Sequence, residues 1–328
     1  MRVAALIAHQ ASPLERGFWK DYLITMRPYL LFVSGITGIA GLSLASRVTL
    51  PTFLVLGVVF FFAYGLGQAL TDCFQMDTDS LSAPERPLVR GTIIREDVIE
   101  VSLGGLLVSA VVVVAFNPLN LAVAAMTIFG LLTYTWFKRR WWGGPWYNAW
   151  IVSLVVLLGY FAGAGAAGGS LTVGAPLLGT MFVAFAAYAN FVLAGYYKDV
   201  GADRVTGYLT LPVLFGRRVS AFVSDGIAVG ALIGAGVTVL AGGWNSALWP
   251  AAPFLVGGMA FSALAQLRLH RVQSDKAAYR AIEPVVHSYI LVLAGLAAAH
   301  QAHWTPFLVA FYAAFVWTMK RRPMKAQI

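Results

Sequence analysis

The residues best suited to chemistry fall in two short runs. One is Thr71-Asp72-Cys73-Phe74-Gln75-Met76-Asp77-Thr78-Asp79, followed by Ala83-Pro84-Glu85-Arg86-Pro87-Leu88-Val89-Arg90-Gly91. The other is Lys198-Asp199-Val200-Gly201-Ala202-Asp203-Arg204. Together they hold six of the chain's 14 acids, interleaved with cations. Carboxylates four residues apart share a helix face, so Asp199 and Asp203 form one pair. If a helix continues through the first run, Gln68, Asp72, Gln75 and Asp79 form a second oxygen-rich stripe, with Asp77 turned elsewhere. Such carboxylates repel unless a positive charge sits between them, and oxygen-only donors select a hard cation, Mg2+ or Ca2+. Mg2+ in particular binds few carboxylates and completes its shell with water and substrate phosphates. Arg86, Arg90, Lys198 and Arg204 supply the charges that a phosphate or diphosphate needs. The residues alone therefore predict a Mg2+–diphosphate site. A hydrated loop would account for one such run, but two at equivalent places point to a site.

The elements that must position these runs are membrane helices. Of the 328 residues, 59% are hydrophobic and 11% charged, and the mean hydropathy is +0.75. Soluble domains carry roughly a quarter charged residues, so a water-soluble protein is excluded, and a disordered one with it. A single cysteine, Cys73, rules out an intrachain disulfide. Residues 1–28 lack the uninterrupted apolar core of a cleaved signal. With Phe18, Trp19, Tyr22 and Leu23 among charges, they read as an interfacial segment.

Uncharged tracts at 101–137, 141–197 and 226–267 far exceed the roughly 20 residues of one crossing. They must fold back at Asn117-Pro118, at Gly168-Gly169-Ser170 and at Gly242-Gly243-Trp244-Asn245. Ten helices are expected, at about 29–47, 51–71, 97–116, 118–137, 146–167, 173–197, 217–241, 247–267, 284–300 and 304–319. The last two are short, so nine is a second solution. With ten, every one of the 23 Lys and Arg except Arg47 falls on one face. The positive-inside rule makes that face, with both termini, cytoplasmic. Both acidic runs then lie at cytoplasmic ends of even-numbered helices, four spans apart, as in a weak internal repeat. The net charge of +9 is thus assigned to topology and the diphosphate, not to nucleic acid.

At these motifs the sequence resembles the UbiA superfamily of intramembrane prenyltransferases. The family carries Asn-Asp-x-x-Asp-x-x-x-Asp after its second helix, with Arg-Pro seven residues beyond the last Asp. Here Arg86-Pro87 follows Asp79 at that distance. Thr71 then takes the Asn place, Asp72 and Asp79 match, and Gln75 replaces the middle Asp. The second family motif, Asp-x-x-x-Asp followed by Gly and Thr-Leu-Pro, is matched by Asp199, Asp203, Gly207 and Thr210-Leu211-Pro212. Arg27-Pro28 is similar to the family's pair before the first span. The resemblance covers about residues 25–300. It implies an all-α membrane bundle of nine to ten helices around a central cavity, divided as 1–28 interfacial, 29–300 prenyltransferase domain, and 301–328 an additional helix and basic tail.

By resemblance, Mg2+ held by Asp72, Gln75, Asp79, Asp199 and Asp203 ionises a prenyl diphosphate bound by Arg86, Arg90, Lys138, Lys198 and Arg204. The prenyl group passes to a lipophilic or aromatic acceptor. The metal acts as a Lewis acid on the leaving group, and ring faces in an aromatic-rich bundle shield the allylic cation. Gln75 costs the first motif one negative charge, so Asp199 and Asp203 are expected to carry at least as much of the metal. The altered first motif also keeps open a terpene cyclase of the same superfamily, which needs no acceptor.

Other residues have plainer readings. Lys138-Arg139-Arg140 anchors topology, with Lys138 the one placed to reach a diphosphate. Trp141 to Tyr147 forms an interfacial aromatic belt. Asn148 caps a helix or bonds substrate. Asp225 and Glu100 lie near enough to a membrane face to reach water. His287 lies near the cytoplasmic end of the ninth span, while His300 and His303 fall opposite the acids. The glycines from Gly163 to Gly169 serve close helix packing. A transporter or channel needs polar groups near the bilayer midplane, and the uncharged tracts supply almost none.

Overall fold

A computed structural model describes residues 10–241 and 248–322. The Gly242 to Asn245 turn, Arg2 and Lys325 lie outside the described residues. The chain forms α1 (Arg16–Met26), α2 (Leu31–Leu42), α3 (Leu50–Asp72), α4 (Met76–Ser82), α5 (Pro87–Arg90), α6 (Arg95–Phe116) and α7 (Asn120–Arg140). There follow α8 (Gly144–Ala166), α9 (Ala175–Tyr196), α10 (Val200–Val205), α11 (Leu211–Ala241), α12 (Leu248–Leu269), α13 (Tyr279–His300) and α14 (Thr305–Lys320). Among the described residues the only β pairing is an isolated bridge between Ala11 and Ile93.

Eight of these helices are long and apolar enough to cross a membrane, or nine if α1 and α2, bent by 45°, count as one span. The chain is an integral multi-pass membrane protein. The tenth expected span forms as α14, but its 16 residues reach only about 24 Å at 1.5 Å per residue, short of a roughly 30 Å hydrocarbon core. Its rings pack inward. Phe311 and Phe315 lie 5.0 and 5.7 Å from Phe32 of α2, and Trp304, just ahead of α14, lies 4.8 Å from Phe53 of α3. The first span is also shorter than expected, ending at Leu42 rather than residue 47.

Turn chemistry sets most other boundaries. Asn117 Oδ1 accepts from the Leu119 amide and closes the α6–α7 turn. Gly216, at φ 79°, interrupts α11 where only glycine adopts that conformation without strain. The seventh span proper therefore begins one residue later, at the expected position 217.

Helix α13 is buried along most of its length, packed on α12, α9 and α2. Helix α2 is buried at every position and rests on α3 and α8. Its glycines make this possible. A methyl group added at Gly41 would overlap the Val156 carbonyl oxygen of α8, and one at Gly159 would overlap the Gly38 carbonyl oxygen of α2. Small residues let membrane helices approach to backbone contact. Gly41→Ala should therefore destabilise the protein by about 1–3 kcal/mol through overpacking. A lowered thermal midpoint in detergent is the measurement. Gly230→Ala, where an added methyl meets nothing within 4 Å, should show no such loss.

Candidate active site

The two acidic runs meet over the mouth of the bundle. Helix α3 does not continue through the first run; it stops at Asp72, and α4 starts at Met76. Gln68 and Asp72 still share a face, with Gln68 Nε2 donating to Asp72 Oδ1 at 2.6 Å. The break swings α4 over the mouth, where it packs on α10 and the Thr78 and Thr206 hydroxyls lie 3.0 Å apart. As expected, Asp77 points away, taking a hydrogen bond from Arg139 Nη2 at 2.7 Å and one from the Tyr208 hydroxyl at 3.2 Å.

Beneath this cap lies a cavity lined by Asp72, Gln75, Asp79 and Asp199, by Arg27, Arg86, Lys138 and Lys198, and by the rings of Tyr64, Tyr134, Tyr188 and Tyr196. Acids and cations are interleaved. Arg86 bridges the first run, paired to Asp79 and 3.8 Å from Asp72 Oδ2. Lys138 Nζ donates to Gln75 Oε1 at 2.8 Å, lies 3.8 Å from Asp203 Oδ1, and sits about 5 Å above the Tyr196 and Tyr208 rings. One lysine thus touches both motifs. Asn148 also lines the cavity.

Asp203 is fully buried behind Lys138. Its Oδ2 accepts from the Thr210 hydroxyl at 3.1 Å, and its Oδ1 has no hydrogen-bond partner. Thr210 belongs to the Thr-Leu-Pro segment, so that segment's first residue holds the motif's last acid. Asp199 is half-buried and makes no ion pair with a described residue.

Burial governs the charge states. It pushes the Asp203 carboxyl up to about 6, against the pull of Lys138, and raises Asp79 despite Arg86. Burial alone would lower the Arg86 guanidinium, but Asp79, Asp72 and Asp199 outweigh it and push it up. Lys198 goes the other way. Burial, reinforced by Arg27 and Arg86, brings its ammonium down to about 8 although Asp199 opposes the change.

Two of the expected diphosphate ligands are not at the cavity. Arg90 and Arg204 are exposed on the outer side of the cap. Sequence proximity to acids brought them into consideration, but the short helices α5 and α10 turn them to solvent. Arg27 is the residue that sequence reasoning left out of the site. Its Nη2 lies 2.9 and 3.1 Å from the two oxygens of Asp72. Among the described residues it is also the only non-glycine with positive φ, 55°, at the bend between α1 and α2. The Arg27-Pro28 pair was the available signal.

The donor set can be tested against a metal ion. Among the described residues no group of three or more His, Cys, Asp or Glu is already gathered as a metal site, because Arg86 and Lys138 separate the carboxylates. The donors are nonetheless all oxygen, which suits a hard divalent cation. The buried Oδ1 of Asp203, which has no hydrogen bond and only the Lys138 ammonium at 3.8 Å, and Asp199, which makes no ion pair with a described residue, are the oxygens that such an ion would satisfy. The other singled-out residues serve packing and topology. His287 Nδ1 lies 2.8 Å from the Tyr312 hydroxyl, and Asp225 pairs with His270 at 2.8 Å. Trp141 and Trp142 are exposed, and Glu100 reaches the surface.

Comparison with known proteins accords with this geometry. Residues 34–289 match the family described as the UbiA prenyltransferase family. The digeranylgeranylglyceryl phosphate synthase of Halobacterium salinarum is 31% identical over 182 residues, covering 54% of this chain and 63% of that protein. The chain thus spans less than two thirds of that relative. The synthase of the same name from Natronomonas pharaonis is 28% identical over 67% of this chain and 78% of its own length. A UbiA homologue from Aeropyrum pernix superposes with a TM-score of 0.69 at 18% identity, covering 82% of this chain and 97% of that one. A UbiA homologue from Archaeoglobus fulgidus, bound to GPP and Mg2+, gives 0.63 at 15% identity, covering 90% and 99%. At those identities the likeness is one of fold.

Proposed function

The chain belongs to the UbiA prenyltransferase family, and on that footing we propose that it transfers a prenyl group from a prenyl diphosphate to a glyceryl-phosphate lipid. The observation that carries this proposal is the cavity itself, with acids and cations at its mouth and an apolar interior directly beneath. The relatives' name describes a glyceryl phosphate bearing two geranylgeranyl groups. It supports an acceptor that already carries one such group, the lipophilic rather than the aromatic of the two kinds expected from the sequence. It also favours transfer over cyclisation.

The Archaeoglobus homologue's Mg2+ and GPP support Mg2+ as the ion. Asp72, Asp79, Asp199 and Asp203 would hold it, with Gln75 the weakest donor because Lys138 engages its oxygen. When bound there it supplies Lewis acidity toward the leaving diphosphate. The chain's own residues do the rest. Arg86, Lys138 and Lys198 neutralise diphosphate oxygens, and Arg27 holds Asp72 in place. The tyrosine rings beneath face the carbon that loses its leaving group and exclude water from it. The cationic loops and both termini are assigned to the cytoplasm. The prenyltransferase domain is assigned to 29–300, with 1–28 interfacial and 301–328 an appended helix and tail.

The test is an acceptor panel. Protein in nanodiscs is given geranylgeranyl diphosphate and Mg2+ with geranylgeranylglyceryl phosphate, with a hydroxybenzoate, or with no acceptor. Mass spectrometry should find a doubly geranylgeranylated glyceryl phosphate. A prenylated aromatic alone, or a cyclic hydrocarbon without acceptor, would overturn the assignment.

The site's pH response follows from Lys198. Its ammonium is charged below about pH 8 and neutral above, whereas the diphosphate stays anionic throughout. The KM for prenyl diphosphate should therefore rise as pH passes 8, with kcat changing less. Lys198→Arg, which stays charged, should remove the inflection.

A further inference from the structure

A prenyl diphosphate needs room for its hydrocarbon tail, and three cavities share walls in line beneath the cap. The mouth cavity shares Tyr64, Gln68, Thr71, Asn148 and Tyr188 with a second cavity below it. That second cavity shares Ala63, Leu106, Thr127 and Val155 with a third. From Thr71 to Val59, both wall residues on α3, the run covers about 18 Å at 1.5 Å per residue.

The lowest chamber suits only hydrocarbon. Its two hydroxyls are already committed within their own helices, Ser109 donating to the Gly105 carbonyl at 2.8 Å and Thr127 to the Val123 carbonyl at 2.9 Å. Asn120 Nδ2 donates to the carbonyl of Val113 at 2.9 Å and to that of Leu158 at 3.4 Å, tying α6 and α8 together below the last wall residues.

The two lower chambers share one wall residue from each of four helices, Ala63 of α3, Leu106 of α6, Thr127 of α7 and Val155 of α8, which together make a ring where the chambers adjoin. Ala63 has the smallest side chain of the four. We propose that this ring is the chain-length gauge of the donor site, and that Ala63 is the specificity-determining residue that lets a long tail pass into the lowest chamber. A shorter tail ends above the ring; a longer one must cross it. The proposal rests on the prenyl-transfer reading and adds to it the residue that sets the tail.

The test measures binding, so it does not depend on turnover. Unreactive prenyl thiolodiphosphates of ten, fifteen and twenty carbons are titrated with Mg2+ into wild type, Ala63→Val, Ala63→Phe and Val155→Phe in nanodiscs. The readout is the ratio of Kd values for the twenty- and ten-carbon compounds, which general damage to the head site leaves unchanged. Ala63→Phe should shift that ratio against the long chain by at least about tenfold, equivalent to losing the burial of about two methylene groups. Ala63→Val should shift it less, and Val155→Phe should act like Ala63→Phe from the opposite wall. If the phenylalanine variants do not fold, Ala63→Val against the widening change Leu106→Ala decides, the two moving the ratio in opposite directions. A ratio unchanged in every folded variant overturns the gauge. Failure of wild type to form product, with the ratio still shifting, would remove the transfer reading and leave the gauge standing.

Discussion

Replacing Asp203 by Ala is expected to lower Mg2+-dependent turnover about a thousandfold, the scale on which a metal stabilises developing charge by several kcal/mol. Asp203 is fully buried, its Oδ2 is fixed by Thr210, and its Oδ1 has no hydrogen-bond partner. Such an oxygen is costly to bury unless something occupies it. Either change strips Lys138 of its counter-charge, but Asp203→Asn keeps the shape and an oxygen for Thr210, so it separates loss of the charged oxygen from loss of packing. Both should lose turnover, and the Asn variant should lose less of the thermal midpoint than the Ala variant. Steady-state kinetics across a Mg2+ series is the measurement. Full Mg2+-dependent turnover in Asp203→Ala would show that the second motif does not hold the metal.

Arg86→Ala should be the second severe change, and on two counts. Arg86 bridges Asp79 and Asp72, both buried. Its removal leaves Asp79 buried without its cation and facing Asp72, which keeps Arg27, and breaking a buried pair in this way costs about 3–5 kcal/mol. On the proposed function the same change also removes a cation from the diphosphate. The variant should therefore unfold at lower temperature in the free state. Its KM for prenyl diphosphate should also rise, and added Mg2+ should restore part of the lost stability by taking the guanidinium's place between the acids. Thermal denaturation with and without Mg2+ checks this. Denaturation unaffected by the substitution would mean that the Arg86 pairs do not hold the free protein together.

The helices were largely legible because charge is scarce. The uncharged tracts and their Asn-Pro and glycine breaks put α6 and α7 within two or three residues of their observed ends. The family resemblance, carried by Asp72, Asp79, Arg86, Asp199 and Asp203, is borne out by the family match. What was hidden depends on contacts remote in sequence. The expected end of the second span at residue 71 is met within one residue, but the stripe from Gln68 to Asp79 required the helix to continue. The pull of Arg86 on Asp79 and of Lys138 on Gln75 favours a break after Asp72. Arg27 meets its partner 45 residues away, a distance to which local spacing is blind. Arg90 and Arg204 are close to acids in sequence, yet the facing of two short helices decides where their charges go. The apolar pattern of α14 does not distinguish lipid from neighbouring rings, so its inward packing on Phe32 emerged only in three dimensions.

The central claim is that the two acidic motifs jointly bind a metal-complexed prenyl diphosphate. Equilibrium binding of an unreactive prenyl thiolodiphosphate, titrated at several Mg2+ concentrations, tests it most directly in wild type, Asp79→Asn and Asp203→Asn. Affinity should rise with Mg2+ in wild type, and each single substitution should largely abolish that dependence. Tight binding that ignores Mg2+, or that keeps its full Mg2+ dependence in both variants, would contradict the account.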